Sequence, residues 1–397
     1  MTGHEQPRPV ACKFLTPGVG VLLTLIAAGL AFAVYRFLFG LAAATNLDQQ
    51  HPWGLWIAID VATGVALAAG GFTTAALAYI FRREQFHAIT RPALLTAMLG
   101  YTFVGIGLMA DLGRYYNIWH PAWPTMWQGN SVLFEVGMCV MCYITVLYIE
   151  FLPIVCERFV NDKRRPLLAR FCATVQRVVN RTMFMFIIAG VVLSCLHQSS
   201  LGNLMVLAPS KMHPLWYTPI LSLLFLLSAI AVGFPMVIFE SVYAAWALKL
   251  KPELELLRSL AKFVPVLLGM YIAFKVGDLL IRESHVHLAD GSTQSLMFLI
   301  EVVFGLITPF VLFLSARVRR SARWLFIASL LIVLGVALNR VNVFLTAYQP
   351  PYVVKTYFPS IGEFIVTAGL ISTLILLYRL AVTYFPVITQ PVRARLT

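Results

Sequence analysis

The stretch "YIAFKVGDLLIRE", Tyr271 to Glu283, sets Lys275, Asp278, Arg282 and Glu283 into a run otherwise apolar enough for lipid. Lys275 and Asp278 are spaced i,i+3, and Asp278 and Arg282 i,i+4, so on a helix each pair shares a face and can neutralise itself. Comparable groups recur in equally apolar surroundings: Asp60, Asp111 with Arg114 three residues on, Glu135, His197, Glu301, Arg340 and Glu363. Ionisable groups inside a bilayer are costly, face the bundle interior or a watered cavity, and mark functional sites. The chemistry such residue types offer is proton exchange. An imidazole and a carboxylate beside an apolar slot suit a quinone, whose carbonyls gain electrons and protons together; the imidazole can bond a carbonyl and accept a quinol proton. Other protonatable side chains stand deeper: Tyr101, Glu150, Glu240 in "GFPMVIFE", and Tyr79, Tyr143 and Tyr148.

A second reading stands beside this one. Arg282, Glu283 and Glu363 are equally explained as helix-end groups snorkelling to the headgroups. Asp60, Asp278 and Glu135 have short side chains and lie deeper, which favours a site. Glu240 is readable either as a solvated helix end or as an interior acid. Tryptophans near a membrane surface are ordinarily belt anchors, and Trp216 in "HPLWYTP" is read that way. Trp53 and Trp56 in "HPWGLWIAID" are left open.

The elements that must position these residues follow from composition. The chain has 397 residues, 60% hydrophobic and 12% charged, whereas soluble domains are about half apolar and about a quarter charged. This predicts an all-α integral membrane protein, one polytopic domain over 1–397. Stretches long enough to cross about 30 Å of hydrocarbon fall near 17–40, 53–81, 91–118, 130–157, 177–199, 215–248, 258–282, 294–318, 323–347 and 359–386. The sixth is long enough that it must tilt or extend past the lipid. Connections are short, leaving no room for a soluble domain. The first apolar run lacks a small-residue cleavage pattern and reads as retained.

Of the 30 Lys and Arg residues, 23 fall in the N-terminus, the loops after spans 2, 4, 6 and 8, and the C-terminus; Arg36, Arg114, Lys211, Lys275, Arg282, Arg340 and Lys355 fall on the other side. The excess of basic loops predicts both termini in the cytoplasm. The net charge of +13 is then a topology signal that needs no nucleic acid. So oriented, the intramembrane charges gather toward the outer leaflet and come from eight of the ten spans.

The cofactor inventory is expected to be short. "CVMC", Cys139 to Cys142, lies in an apolar helix where thiols act as small hydrophobes, and no second CxxC completes an iron–sulfur site. Buried haem normally needs paired histidines at one depth. The histidines are 4, 51, 87, 120, 197, 213, 285 and 287, of which only His197 reads as lying within a span. No haem, iron–sulfur cluster or metal is expected on this chain.

With these segments assembled, the chain resembles the NrfD/polysulfide-reductase membrane-subunit family, and within it the membrane subunits of periplasm-facing nickel–iron hydrogenases of the hydrogenase-2 type. The resemblance runs from Pro17 to about residue 385 and is carried by "PWGLWIAID", "RPALLTAMLGY", "DLGRYYN", "NSVLFE", "LHQSSLGNLM", "HPLW" and "VIFE". It implies two four-helix bundles, spans 2–5 and 6–9, with spans 1 and 10 peripheral. It implies electron transfer between a ferredoxin-like iron–sulfur subunit and menaquinone or ubiquinone, with the hydrogenase large and small subunits on the periplasmic side. Carried over residue by residue, it places the quinone at Asp60, Asp111, Arg114 and His197. It places proton transfer on Tyr101, Glu135 and Glu240, with Lys275 and Asp278 where relatives carry another basic residue with an acid. The alternatives are the membrane subunit of another NrfD-type reductase, for polysulfide, nitrite or a similar acceptor, and a secondary transporter; against the transporter, no obvious pair of broken helices meets a polar midplane site. A passive anchor is the remaining reading, disfavoured by charges on eight spans.

Overall fold

The computed structural model describes residues 6–160, 162–352 and 356–390; His4, Lys355, Arg393 and Arg395 lie outside them. Among the described residues, ten helices are long and apolar enough to span a membrane: α1 Pro17–Phe39, α2 Trp56–Ile80, α3 Glu84–Asp111, α4 Val132–Phe159, α5 Pro166–Val206, α6 Leu221–Ala247, α7 Leu254–Ile281, α8 Thr293–Leu314, α9 Ala322–Thr346 and α10 Ile361–Tyr384. The chain is a multi-pass integral membrane protein.

Helix ends follow local chemistry. The Thr16 hydroxyl accepts from Val19 N at the start of α1, with Pro17 in the first turn. Ser131 and Ser292 do the same for α4 and α8. Ser360 and Glu363 form a reciprocal capping box on α10. These caps satisfy amides that a helix start leaves free.

Three expected boundaries move. The third helix runs 84–111 rather than 91–118, because the chain leaves helical geometry at Leu112, whose backbone is extended. The sixth begins at Leu221, after a turn through Thr218, so it has 27 residues and no need to overreach. The long helix is instead α5. Its 41 residues extend about 62 Å at 1.5 Å per residue, roughly twice the hydrocarbon thickness, and its first turns carry Arg170, Arg177 and Arg181.

Helices α2–α5 pack as one four-helix bundle and α6–α9 as another, joined where α2 and α5 meet α6 and where α2 meets α9. Helices α1 and α10 pair with each other and lie against α2 and α3. Their backbones approach at Gly29 and Gly369, where a Cβ on Gly369 would meet the Gly29 Cα at 2.9 Å. Small residues at such crossings give membrane helices their packing contact. The chain ends also meet: Gln6–Pro7 pairs with Thr389–Gln390, and Val10 N bonds Val382 O at 2.9 Å. That end of the molecule is the terminal face, the opposite end the distal face.

Candidate functional site

Helix α2 enters from the distal face in π-helical geometry over Trp56–Thr63 and returns to it at Ala76–Ile80. A π turn widens the helix and shifts its carbonyls out of register; here the Thr63 hydroxyl bonds Ala58 O at 2.8 Å. Asp60 stands in the first of these segments. Its carboxylate accepts from Thr367 of α10 at 2.6 Å, and the missing side chain of Gly107 on α3 makes room for it. Asp111, the last residue of α3, lies within electrostatic reach of Arg36, Glu363 and Asp60, and its Oδ1 is buried without a hydrogen-bond partner among the described residues.

Arg114 does not join them. The helix ends at Asp111, so the i,i+3 register that would pair the two is absent, and Arg114 is exposed. The cation at this site is Arg36 of α1, buried and donating to Ala110 O at 2.6 Å and Leu112 O at 2.5 Å. Glu363, readable as snorkelling, is buried. It takes hydrogen bonds from the Tyr357 hydroxyl, Ser360 N, Asn46 N and Leu55 N, while its carbonyl accepts from the Trp56 indole at 3.2 Å. It staples the approach to α2 onto α10. Gly54 permits this, since a Cβ there would meet Tyr357 Oη at 2.9 Å.

A second group fills the first bundle. His197 of α5 is fully buried and its Nδ1 lies 3.2 Å from the Tyr101 hydroxyl. The Tyr101 ring meets Tyr143 edge-on at 4.5 Å, and Ser194 sits beside both phenols without hydrogen-bond geometry to either. Toward the distal face, Ser200 donates to the exposed Glu135 at 2.5 Å. Toward the terminal face, Tyr143 is followed by buried Glu150, which Gly190 accommodates. The result is a file of protonatable groups along the bundle axis: Glu135, Ser200, His197, Tyr101, Tyr143, Glu150. Buried His197 Nε2, Ser194 Oγ and Glu150 Oε1 have no partner among the described residues. His197 bonds Tyr101 whereas Asp60 bonds Thr367, so these two do not form the expected histidine–aspartate pair.

The third group lies in the second bundle. Lys275 pairs with Glu301 of α8 at 2.5 Å, not with Asp278. Glu301 also accepts from Asn339, Asn342 and the indole of Trp216, each at 2.9 Å. Trp216 is therefore a buried donor and not a belt anchor. Asp278 pairs with Arg282 at 2.8 Å, as its spacing predicts, and accepts from Thr218 at 2.7 Å. Arg340 is buried over the Phe225 ring and donates to Ser228 at 2.8 Å and Asn339 at 2.7 Å. Most of these groups are satisfied. At the distal loops, His213, His287 and Asp290 bring one potential ligand atom each within 4.8 Å of one another.

Glu240 belongs with none of these. It lines a cavity of about 800 Å³ bounded by α1, α2, α3, α6 and α10. Asp60 and Thr63 lie at its distal end, Glu240, Thr96, Tyr378 and Arg379 toward the terminal face, and Leu67, Phe103, Leu370 and Leu374 between. Volume and lining match a site for a long apolar ligand with a polar head.

The sequence model for polysulphide reductase, NrfD, matches residues 43–351. The chain is 34% identical over 97% of its length, and 95% of the relative's, to the probable Ni/Fe-hydrogenase 2 b-type cytochrome subunit of Escherichia coli K12. It is 25% identical, over 90% of its length and 88% of the relative's, to the menaquinone reductase integral membrane subunit of Nitratidesulfovibrio vulgaris. To a selenate reductase subunit of Mesobacillus selenatarsenatis it is 23% identical over 87% of its length and 88% of the relative's. The chain belongs to the NrfD family of membrane subunits. Within that family it is related to a hydrogenase-2 membrane subunit and to a menaquinone reductase subunit.

Proposed function

We propose that this chain is the quinone-reactive subunit of a respiratory oxidoreductase in the cytoplasmic membrane, and that the enzyme is a nickel–iron hydrogenase. The observation that carries the reading is the Asp60 carboxylate at the polar end of a large apolar cavity, with Asp111 and Arg36 behind it. Placing the basic terminal face in the cytoplasm turns the distal face to the periplasm. Hydrogenase large and small subunits and a ferredoxin-like iron–sulfur subunit dock there and deliver electrons. The substrate is menaquinone or ubiquinone, its ring at Asp60 and its tail along the cavity.

In this reading the protein orients the ring and supplies protons. Thr367 holds the Asp60 carboxylate toward the cavity, and Arg36 fixes the end of α3 so that Asp111 stays beside it. The file from Glu150 through Tyr143, Tyr101 and His197 is the proton route in the first bundle. Lys275 and Asp278 brace the second bundle through Glu301 and Arg282. The two histidines inside helices do not face one another as haem ligands would. His197 is enclosed by the tyrosine file, and His87, also inside a helix, is exposed at the opposite end of α3.

The test is a titration of the purified protein with a fluorescent quinol analogue, comparing wild type with D60N and H197A. Binding at least tenfold weaker in D60N, with a smaller change in H197A, is the expected outcome. Equal affinity in D60N and wild type removes Asp60 from the site. A wild-type protein that binds no analogue alone and none when co-expressed with its partner subunits refutes the quinone reading.

A further inference from the structure

The cavity beside Asp60 has a second polar end, and nothing in the quinone reading uses it. Along α10 the lining runs from Leu370 to Val382, about 18 Å of helix, and its middle is apolar. At the terminal-face end Glu240 of α6 is flanked by Thr96 of α3 and Tyr378 of α10. Glu240 Oε1 and Thr96 Oγ1 are buried with no partner in hydrogen-bond geometry among the described residues, although both residues line the cavity. Buried polar atoms are rarely left so, because the desolvation of each goes uncompensated. Three helices thus bring a carboxyl, a hydroxyl and a phenol within interaction distance of one another at this end of the cavity.

We propose that Glu240, Thr96 and Tyr378 form a second head-group subsite for the quinone, occupied independently of the position at Asp60. The proposal rests on the quinone reading given above. A hydroxyl, a phenol and a carboxyl offer both donors and acceptors to a ring carbonyl or hydroxyl. The carboxyl disfavours a phosphate; Arg379 at the mouth donates one Nη to Lys13 O at 2.6 Å, while its buried Nε has no partner among the described residues. The apolar middle of the cavity takes an isoprenoid chain lying in either direction. The subsite binds and releases; no redox step is assigned to it. It gives the quinone a holding position nearer the terminal face, on the same path that leads to Asp60.

The experiment uses the full chain in lipid nanodiscs, labelled with a photoreactive azidoquinone bearing a decyl tail, with adducts mapped by peptide mass. Two adduct groups are expected, one on residues 57–64 and 103–111 and one on 236–248 and 370–382. E240Q and Y378F should lower the second group at least fivefold and spare the first; D60N should do the reverse. T96V, a smaller change, repeats the test where E240Q disturbs folding. Adducts confined to the Asp60 end overturn the subsite, as do terminal-face adducts that persist in all three variants. Loss of terminal-face adducts on adding phospholipid, but not on adding unlabelled quinone, also overturns it and makes that end a lipid site. Labelling at neither end refutes the quinone reading itself, and the subsite with it.

Discussion

Replacing Lys275 with methionine removes the cation that faces Glu301 across 2.5 Å and leaves the carboxylate buried on α8. Glu301 keeps Asn339, Asn342 and Trp216 as neutral donors. Removing one member of a buried pair costs about 3–5 kcal/mol, because the other charge is left uncompensated; three remaining donors place K275M near the lower end, at about 3 kcal/mol. E301Q keeps a neutral amide oxygen for the ammonium but removes its anion, leaving the Tyr271 and Phe298 rings at 5.8 Å and 5.1 Å as the remaining favourable surroundings, and should cost about as much. K275M/E301Q removes both charges and keeps an amide among the asparagines. Neutral replacement of a buried pair is often free of cost, so the double variant should lie within about 1 kcal/mol of wild type. The coupling, about 5–6 kcal/mol, would exceed the usual 0.5–3 kcal/mol range for contacting residues, because each single variant strands the other charge. The assay is SDS titration of the folded protein followed by circular dichroism, beside hydrogen-dependent quinone reduction by the assembled complex. Additive single effects refute the pairing. A double variant that is as stable as wild type but reduces quinone at least tenfold more slowly refutes the bracing role and returns Lys275 to proton transfer.

Three further outcomes are expected. R36Q frees the Ala110 and Leu112 carbonyls and should loosen the end of α3; quinol-analogue affinity should drop five- to tenfold, and unchanged affinity would separate Arg36 from the site. G369V cannot approach Gly29, so α1 should part from α10; a cysteine cross-link engineered across the pair should lose most of its yield, and retention of full yield contradicts the close contact. The third concerns pH. Burial, and then the facing His287 ring, hold the His213 imidazole below its ordinary value of 6.5. A group harder to protonate when folded stabilises the fold above its unfolded pKa, and that stability is lost as pH falls through the folded value. Acid unfolding below pH 6.5 should therefore be milder in H213N, and superimposable acid limbs would contradict it.

Much of the helical frame was legible because hydrophobic length and basic loops are properties of single segments. The i,i+4 pair Asp278–Arg282 was legible for the same reason, since helical spacing alone brings it together. What connects different helices was not. The partner of Lys275 is 26 residues away on another span, and Arg36, counted in the sequence only as a topology charge, is the cation beside Asp111. Arg114 misled because a spacing argument assumes that the helix continues, and it stops at Asp111. Glu240 stood in line with Tyr101 and Glu135 by depth, yet it faces the opposite side of α3 from His197. Depth can be read from residue number; azimuth around a bundle cannot. Membership of the family agrees with the motifs that were read, since those were local strings.

The walls of the cavity come from opposite ends of the polypeptide. Thr16 to Leu22 lie on the first helix and Leu370 to Val382 on the last, and these two helices pair with one another. Synthesis at about 5–20 residues per second separates their emergence by roughly 17–70 s. During that interval both bundles can form while the face of α2 and α3 bearing Asp60 and Thr96 still lies open to the bilayer. The cavity is thus the last part of the molecule to be enclosed. A chain stopped before α10 would have both bundles assembled but one wall of the cavity missing, so only the finished polypeptide closes it.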